Sequence, residues 1–225
     1  LKDAALWLFN SHATRAAARA RWDLARSEVI TPGVDLELFT AAPEREWSGR
    51  LLCVGRIDPR KGLGTAIDAL AELPETTLRI VGPGDERYAG DLRRRAEDLG
   101  LASRVSFDRV SRQELPGVFA GADALLFPVS WEEPWGLVPL EAMATGTPVV
   151  ASGKGGSAEF LRHGHNAFVY APAESPSALA GAVAALRDDR ALRDRLRAGG
   201  LETAAGHGLD AFVARVVAAH EAEVR

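Results

Sequence analysis

Leu51-Leu52-Cys53-Val54-Gly55-Arg56-Ile57-Asp58-Pro59-Arg60-Lys61-Gly62-Leu63 is the stretch on which the fold turns. Four apolar residues stop at a glycine, the pattern of a strand buried on both faces. Three cations follow at its tip, and Leu63, Ile67, Leu70 and Ala71 then recur at helical spacing. The same strand–turn–helix order repeats downstream. Thr77-Leu78-Arg79-Ile80-Val81 is the next strand, stopped by Gly82-Pro83-Gly84, and a charged helix over 87–99 is placed to close at Gly100. Val105-Ser106-Phe107 is a short strand, after which Ser111 with Glu114 reads as a capping box. Residues 123–127, 147–151 and 166–170 are further strands with helical stretches between them. This alternation predicts an α/β protein whose parallel sheet carries helices on both faces. Ligands of such sheets sit beyond the carboxyl ends of the strands, here just after residues 54, 81, 108, 127 and 151.

The two ends read differently. Ala5-Leu6-Trp7-Leu8-Phe9 is strand-like, 13–25 is helical and Glu28-Val29-Ile30 is a short strand closed by Pro32-Gly33. One strand, one helix and one strand cannot close a sheet, so this looks like the last unit of a preceding domain. Residues 175–198 read as a helix or helix pair broken by Gly199-Gly200. Residues 209–224 form a last amphipathic helix with Phe212, Val213, Val216 and Val217 on one side. The expected division is 1–40 remnant and junction, 41–205 sheet domain, and 206–225 crossover helix. The first residue is Leu1, which suggests a processed chain or a piece of a longer one.

Composition narrows the function classes. The 225 residues are 47% hydrophobic and 26% charged, which excludes disorder and allows a sizeable core. Lys plus Arg number 27 against 31 Asp plus Glu, a formal charge of −4, which argues against broad nucleic-acid binding. No apolar run approaches the ~20 residues of a membrane span. One cysteine, Cys53, permits no internal disulfide and fits a reducing, cytoplasmic compartment.

Chemistry concentrates in two places. Arg56 and Lys61, at a strand tip that opens a helix, could grip a pair of phosphates, since free N–H groups and the helix dipole favour anions there. The competing reading is a solvated charge cluster. Ser152-Gly153-Lys154-Gly155-Gly156-Ser157 opens another helix and could be a second anion cradle or a flexible turn, but it is no P-loop. Gly82-Pro83-Gly84 departs from the dinucleotide fingerprint, because Arg87 stands where the third glycine belongs. In Trp131-Glu132-Glu133-Pro134-Trp135-Gly136-Leu137-Val138-Pro139-Leu140-Glu141, Pro139 suits the first helical position, putting Glu141 in the first turn. Glu141 could then merely offset the helix dipole, and Glu133 could be a solvated loop acid. A paired-carboxylate glycosidase is a further alternative, but it leaves the anion-binding loops unexplained. Carboxylates accepting hydrogen bonds from sugar and ribose hydroxyls account for both. His163 and His165 lack further metal ligands in a plausible array, and Cys53 reads as core.

In this order the motifs resemble the C-terminal, donor-binding half of a GT-B glycosyltransferase of family GT4, over residues 30–212. The matching blocks are Ile30-Thr31-Pro32-Gly33-Val34-Asp35 with Phe39, Val54-Gly55-Arg56 with Lys61-Gly62, Ile80-Val81-Gly82-Pro83-Gly84, and Phe127-Pro128-Val129-Ser130. They continue through 133–141, Gly146-Thr147-Pro148-Val149-Val150-Ala151-Ser152 and Gly155-Gly156-Ser157-Ala158-Glu159. The resemblance implies a Rossmann-like parallel sheet, one half of a GT-B fold, and a retaining transfer from a nucleotide-diphosphate sugar. Arg56 and Lys61 would bind the diphosphate, Glu141 the ribose and Glu133 the sugar near its reacting face. Backbone N–H groups of Gly136, Leu137 and Val138 would hold sugar or phosphate oxygens, and the loop from about Arg109 through Val110 to Ser111 would lie by the base. Trp135 stands where Phe is more usual, which would preserve packing but could reshape the sugar pocket. No metal and no cofactor are expected. The partners implied are the nucleotide-sugar and an N-terminal acceptor domain, through which alone any peripheral membrane association would come. The Ala/Arg-rich composition hints at a high-GC bacterial source. The rivals are a non-catalytic nucleotide-sugar binding module, favoured for this fragment in isolation, an epimerase of the same architecture, disfavoured by the 133–141 spacing, and a dinucleotide oxidoreductase, opposed by Arg87.

Overall fold

The computed structural model describes residues 6–24 and 26–224, so Ala5 and Ala25 of the expected first strand and helix lie outside the described residues. In chain order the elements are β1 (Trp7–Phe9), α1 (His12–Arg19), β2 (Ser27–Val29), β3 (Arg50–Val54), α2 (Leu63–Leu70), β4 (Thr77–Val81), α3 (Glu86–Asp98) and β5 (Val105–Asp108). Then come α4 (Leu115–Ala120), β6 (Ala124–Phe127), α5 (Leu137–Ala144), β7 (Val149–Ala151), β8 (Phe168–Val169), α6 (Pro176–Asp188), α7 (Arg190–Ala205) and α8 (Leu209–Val224).

β3 to β8 build one six-stranded sheet in the order β5-β4-β3-β6-β7-β8, parallel throughout. The apolar strand residues divide by parity, as a period of two demands. Leu51, Cys53, Leu78, Ile80, Leu126 and Val150 join a core with α2, α3 and α6. Leu52, Leu125, Phe127, Val149 and Ala151 join another with Phe119 of α4 and Leu140 and Met143 of α5. Each of the larger side chains so buried contributes roughly 2 kcal/mol. Cys53 is core, as read, and burial pushes its thiol up to about 12.

The order of strands locates the site. From β3 the chain moves outward to β4 and β5, then returns to lay β6 on β3's other side. The connections of β3 and β6 therefore leave in opposite directions, and a crevice opens beyond their carboxyl ends.

β1 and β2 pair over three residues as a separate parallel two-stranded sheet. α1 stops at Arg19, short of the expected 25, and has no buried residue, so the alanine run lacks the packing a lengthening helix needs. α8 returns to this unit. Arg215 Nη2 donates to the Val29 carbonyl at 2.7 Å, and Arg26 Nη1 donates to Glu223 Oε2 at 2.8 Å. Of the expected apolar face of α8, Val213 and Val217 are exposed instead, each 48%. Phe212 and Val216 are half-buried and Ala219 is buried, because the inward face runs along 212, 216 and 219.

Three other expectations need correction. Gly199-Gly200 is no break: both lie inside α7, buried. Gly199 packs against the His165 carbonyl, where a side chain would collide, and Gly200 faces Met143. The capping box exists only in half, since Glu114 Oε2 accepts from the Ser111 N–H at 2.8 Å but the regular helix begins at Leu115. Pro139 is the third residue of α5, not the first, because none of the first four N–H groups needs a helical partner and proline is tolerated through that turn. Glu141 is accordingly the fifth residue, beyond the first turn, where offsetting the helix dipole explains little.

Candidate functional site

The tip of β3 is held by the neighbouring turn. The Ile57 N–H donates to the Pro83 carbonyl at 2.8 Å, and Gly82 and Gly84 pack on Gly55 and Ile57. The Gly82-Pro83-Gly84 segment is thus a strand-ending turn that braces the cationic loop. Pro59–Lys61 form a 3-10 turn whose N-cap is Asp58. Gly62 then takes a left-handed conformation, φ 66°, and lies so close to the Pro128 carbonyl that any side chain would collide. That close approach brings the loop after β3 onto the loop after β6.

There Lys61 Nζ donates to Glu133 Oε2 at 2.7 Å. The pair is largely shielded, with side chains 18% and 10% exposed. Trp131 Nε1 donates to the same Oε2 at 3.1 Å. Glu133 is therefore no solvated acid. Arg56, on the same loop, is exposed and among the described residues has no hydrogen bond or ion pair. Arg60 is committed elsewhere: its guanidinium forks onto Asp58 at 2.9 and 2.7 Å and lies over the Trp131 ring, 4.5 Å from its centroid. The fork holds the Asp58 carboxyl well below the usual range.

α5 begins at Gly136, φ 94°, with no side-chain cap, and α2 begins at Gly62 equally uncapped. By contrast α1, α3, α6 and α7 carry caps from Ser11, Asp85, Ser175 and Asp189. Two uncapped helix starts, with the N–H groups of Leu137 and Val138 in one of them, flank the crevice and favour an anion. Further along α5, Glu141 is 6% exposed and its Oε1 accepts from Arg112 Nη1 at 3.4 Å. Burial raises its carboxyl, and Arg112 opposes that rise.

The structure thus puts Lys61 and Glu133 in contact, with Arg56 on the loop that carries Lys61, and Glu141 on the helix that the Glu133 loop feeds. Arg109 pairs at 2.7 Å with Glu86, at the start of α3, and both are exposed, whereas Val110 is half-buried against the second core. Two readings left open by the sequence are decided here. The loop 152–157 is not an open cradle: the Gly156 N–H donates to the Glu133 carbonyl at 2.6 Å, Gly155 and Gly156 abut residues 132–134, and Lys154 Nζ donates to the Ser130 carbonyl. Its glycines serve backbone contact. Trp135 does not reach the crevice; it is buried, tilts against Phe160 and His207, and its Nε1 donates to the Pro32 carbonyl at 3.0 Å. His163 Nδ1 accepts from the Val169 N–H, and its ring packs edge-on against Phe168. Sequence reading passed over Trp131, Arg60 and Arg112. The Trp-x-Glu spacing at 131–133 could have flagged the first, while Arg112 lies one residue past the loop considered.

A six-stranded parallel sheet with a cationic loop and an acidic loop meeting at its switch point is a Rossmann-like domain of the GT-B type. A family model described as glycosyl transferases group 1 matches residues 37–203, and the chain belongs to that family. It is 36% identical over 192 residues to a D-inositol 3-phosphate glycosyltransferase of Corynebacterium glutamicum, covering 76% of this chain and 46% of that protein. It is 39% identical over 184 residues to a GDP-mannose-dependent alpha-(1-6)-phosphatidylinositol monomannoside mannosyltransferase of Mycolicibacterium smegmatis, covering 72% and 48%. The chain spans about half the length of these curated relatives. Among solved structures it resembles Anabaena Alr3699/HepE in complex with UDP and glucose, with TM-score 0.89 and 26% identity over 97% of this chain and 64% of that one. It also resembles a sucrose-phosphate synthase of Thermosynechococcus elongatus, with TM-score 0.89 and 27% identity over 98% and 59%. Among the described residues no helix is long and apolar enough to cross a membrane.

Proposed function

We propose that this chain is the donor-binding half of a retaining, GT4-type glycosyltransferase acting on a nucleotide-diphosphate sugar. Residues 41–205 form the donor domain, 1–40 belong with an N-terminal acceptor domain, and 206–225 cross back to it. The observation that carries the reading is the contact of Lys61 with Glu133 at the β3/β6 switch point, between two uncapped helix starts.

The chemistry follows from charge. Breaking the anomeric C–O bond leaves negative charge on the departing diphosphate. Arg56, Lys61 and the N–H groups of Gly136, Leu137 and Val138 stabilise that charge as it develops, in a partly shielded crevice where such interactions are strong. Glu133, freed from Lys61 when the cation turns to phosphate, faces positive charge growing on the sugar. Glu141 accepts from ribose hydroxyls, with Arg109 and Val110 toward the base. Loss of the Lys61 cation in the complete enzyme lowers turnover by orders of magnitude, each ~1.4 kcal/mol being tenfold. The chain alone binds donor without turning it over, because the acceptor groups lie in the other domain.

Calorimetry with UDP, GDP, ADP and NAD tests this. One nucleoside diphosphate binds, equally well with EDTA present, and Lys61→Ala weakens it by about 100-fold. NAD binding without any nucleoside diphosphate binding would overturn the assignment, and multiple turnovers by the purified chain would overturn the division of labour.

A further inference from the structure

Trp131 has no role in the reading above, yet it touches Glu133, the carboxylate that Lys61 holds at the switch point. Its indole N–H and the Lys61 ammonium converge on the same oxygen, Glu133 Oε2, at 3.1 and 2.7 Å. The indole itself is fixed from below and behind. The Arg60 guanidinium covers its face, and both arms of that guanidinium are forked onto Asp58. Asp58 in turn caps the 3-10 turn that carries Lys61, accepting from the Arg60 N–H at 2.9 Å. The Arg60 carbonyl accepts from the Ser130 N–H at 3.0 Å, tying this turn to the residue before Trp131. Both donors to Glu133 therefore stem from one rigid assembly, but they differ in freedom. Lys61 has a flexible stem and a full charge that a diphosphate competes for, whereas the indole is planar and clamped.

We infer that Trp131 is the positioning residue for Glu133: when a diphosphate draws Lys61 away, the indole N–H keeps the carboxylate aimed at the donor sugar. The inference rests on the donor-site reading and deepens it. Lys61 and Glu133, which satisfy each other here, then form a closed latch. Donor binding opens the latch on the cation side and leaves the tryptophan side shut. The Lys61 ammonium also overlies the Trp131 ring, 5.9 Å from its centroid, but the indole N–H donates to Glu133 and not to Lys61, so the N–H should matter for the sugar and not for the nucleotide.

The test uses the purified 225-residue chain with two ligand pairs, UDP with UDP-glucose and GDP with GDP-mannose, titrated calorimetrically. Trp131→Phe keeps an aromatic ring under Arg60 while removing the N–H together with the second ring of the indole. The expected result is an unchanged Kd for the nucleoside diphosphate and a loss of about tenfold for its sugar conjugate, the worth of one hydrogen bond to a charged group. Trp131→Ala, which also removes the ring, loses at least as much on the sugar conjugate. Circular dichroism melts of both variants report whether the fold survives. Equal losses for diphosphate and conjugate would make Trp131 a mere support of the loop and overturn the inference, as would an unchanged affinity for both. Failure of the unmodified chain to bind either pair would remove the donor-site reading and this inference with it.

Discussion

Glu133 and Glu141 show how burial and partners divide two acids on one segment. Glu133 spends one oxygen on a cation and an indole at the mouth of the crevice. Glu141 is buried further along the helix with a single distant partner, Arg112, and that partner is 54% exposed. Desolvation dominates there and raises the carboxyl above its ordinary 4.5, Arg112 pulling the other way. A raised carboxyl in the folded chain means the folded state holds the proton more tightly than the unfolded one. The contribution of Glu141 to stability is then greatest below pH 4.5 and is lost as pH climbs through the raised value. Glu141→Gln should therefore unfold at higher urea than the parent at pH 7, with the gain vanishing near pH 4. Equal midpoints at pH 7 would mean that the carboxylate is better solvated than its burial suggests. On the proposed donor reading, the same substitution should weaken nucleoside diphosphate binding by about tenfold, because a neutral acceptor would replace a charged one at the ribose.

At the scale of elements, α5 and α7 are read best through what they touch. α7 carries two glycines that look like a stop, but its partners make them necessary or incidental. Gly199 meets a fixed backbone carbonyl, that of His165, whereas Gly200 meets the flexible Met143 side chain, with Cγ 3.2 Å from a built Cβ. Gly199→Ala should destabilise the chain by about 2 kcal/mol through overpacking. Gly200→Ala should be neutral or stabilise by up to about 1 kcal/mol, since methionine can yield and alanine favours the helix. Urea melts of the two variants check this, and shifts of the same sign would refute the close-approach explanation. Helix α5 carries the companion lesson. Its start is set by the Gly136 turn, so Pro139 and Glu141 fall two positions later than proline preference suggests.

For the whole molecule, the main sheet and the β1–β2 unit differ in kind. β3 pairs with β4 over five residues and is covered on both faces. β1 and β2 pair over three, with no third strand among the described residues. A two-stranded sheet of that length is marginal by itself. It is steadied by α8, by Glu159, whose carboxylate accepts from the His12 and Ala13 N–H groups, and by the pairing of Val34 with His207 and Leu209. In hydrogen exchange, amides of 6–30 should exchange at least about tenfold faster than those of β3 and β4. Uniform protection across both would show one cooperative unit.

The sequence by itself determined the types and order of nearly all the elements, the parallel class of the sheet and the end of it that carries the loops. Those follow from local causes: apolar runs ending at Gly55 and Gly82, helical spacing after Lys61, and turn residues between them. The tertiary structure alone decided which charges meet. Lys61 and Glu133 are 72 positions apart and pair only because β6 returns to lie beside β3. Arg60, as plausible a cation in the sequence, is instead claimed by Asp58 and Trp131, and the glycines at 155, 156 and 199 are explained only by the backbone pressed against them. Local periodicity reports what a residue does to its own segment, whereas pairing across a crevice depends on strand order, which no single segment encodes.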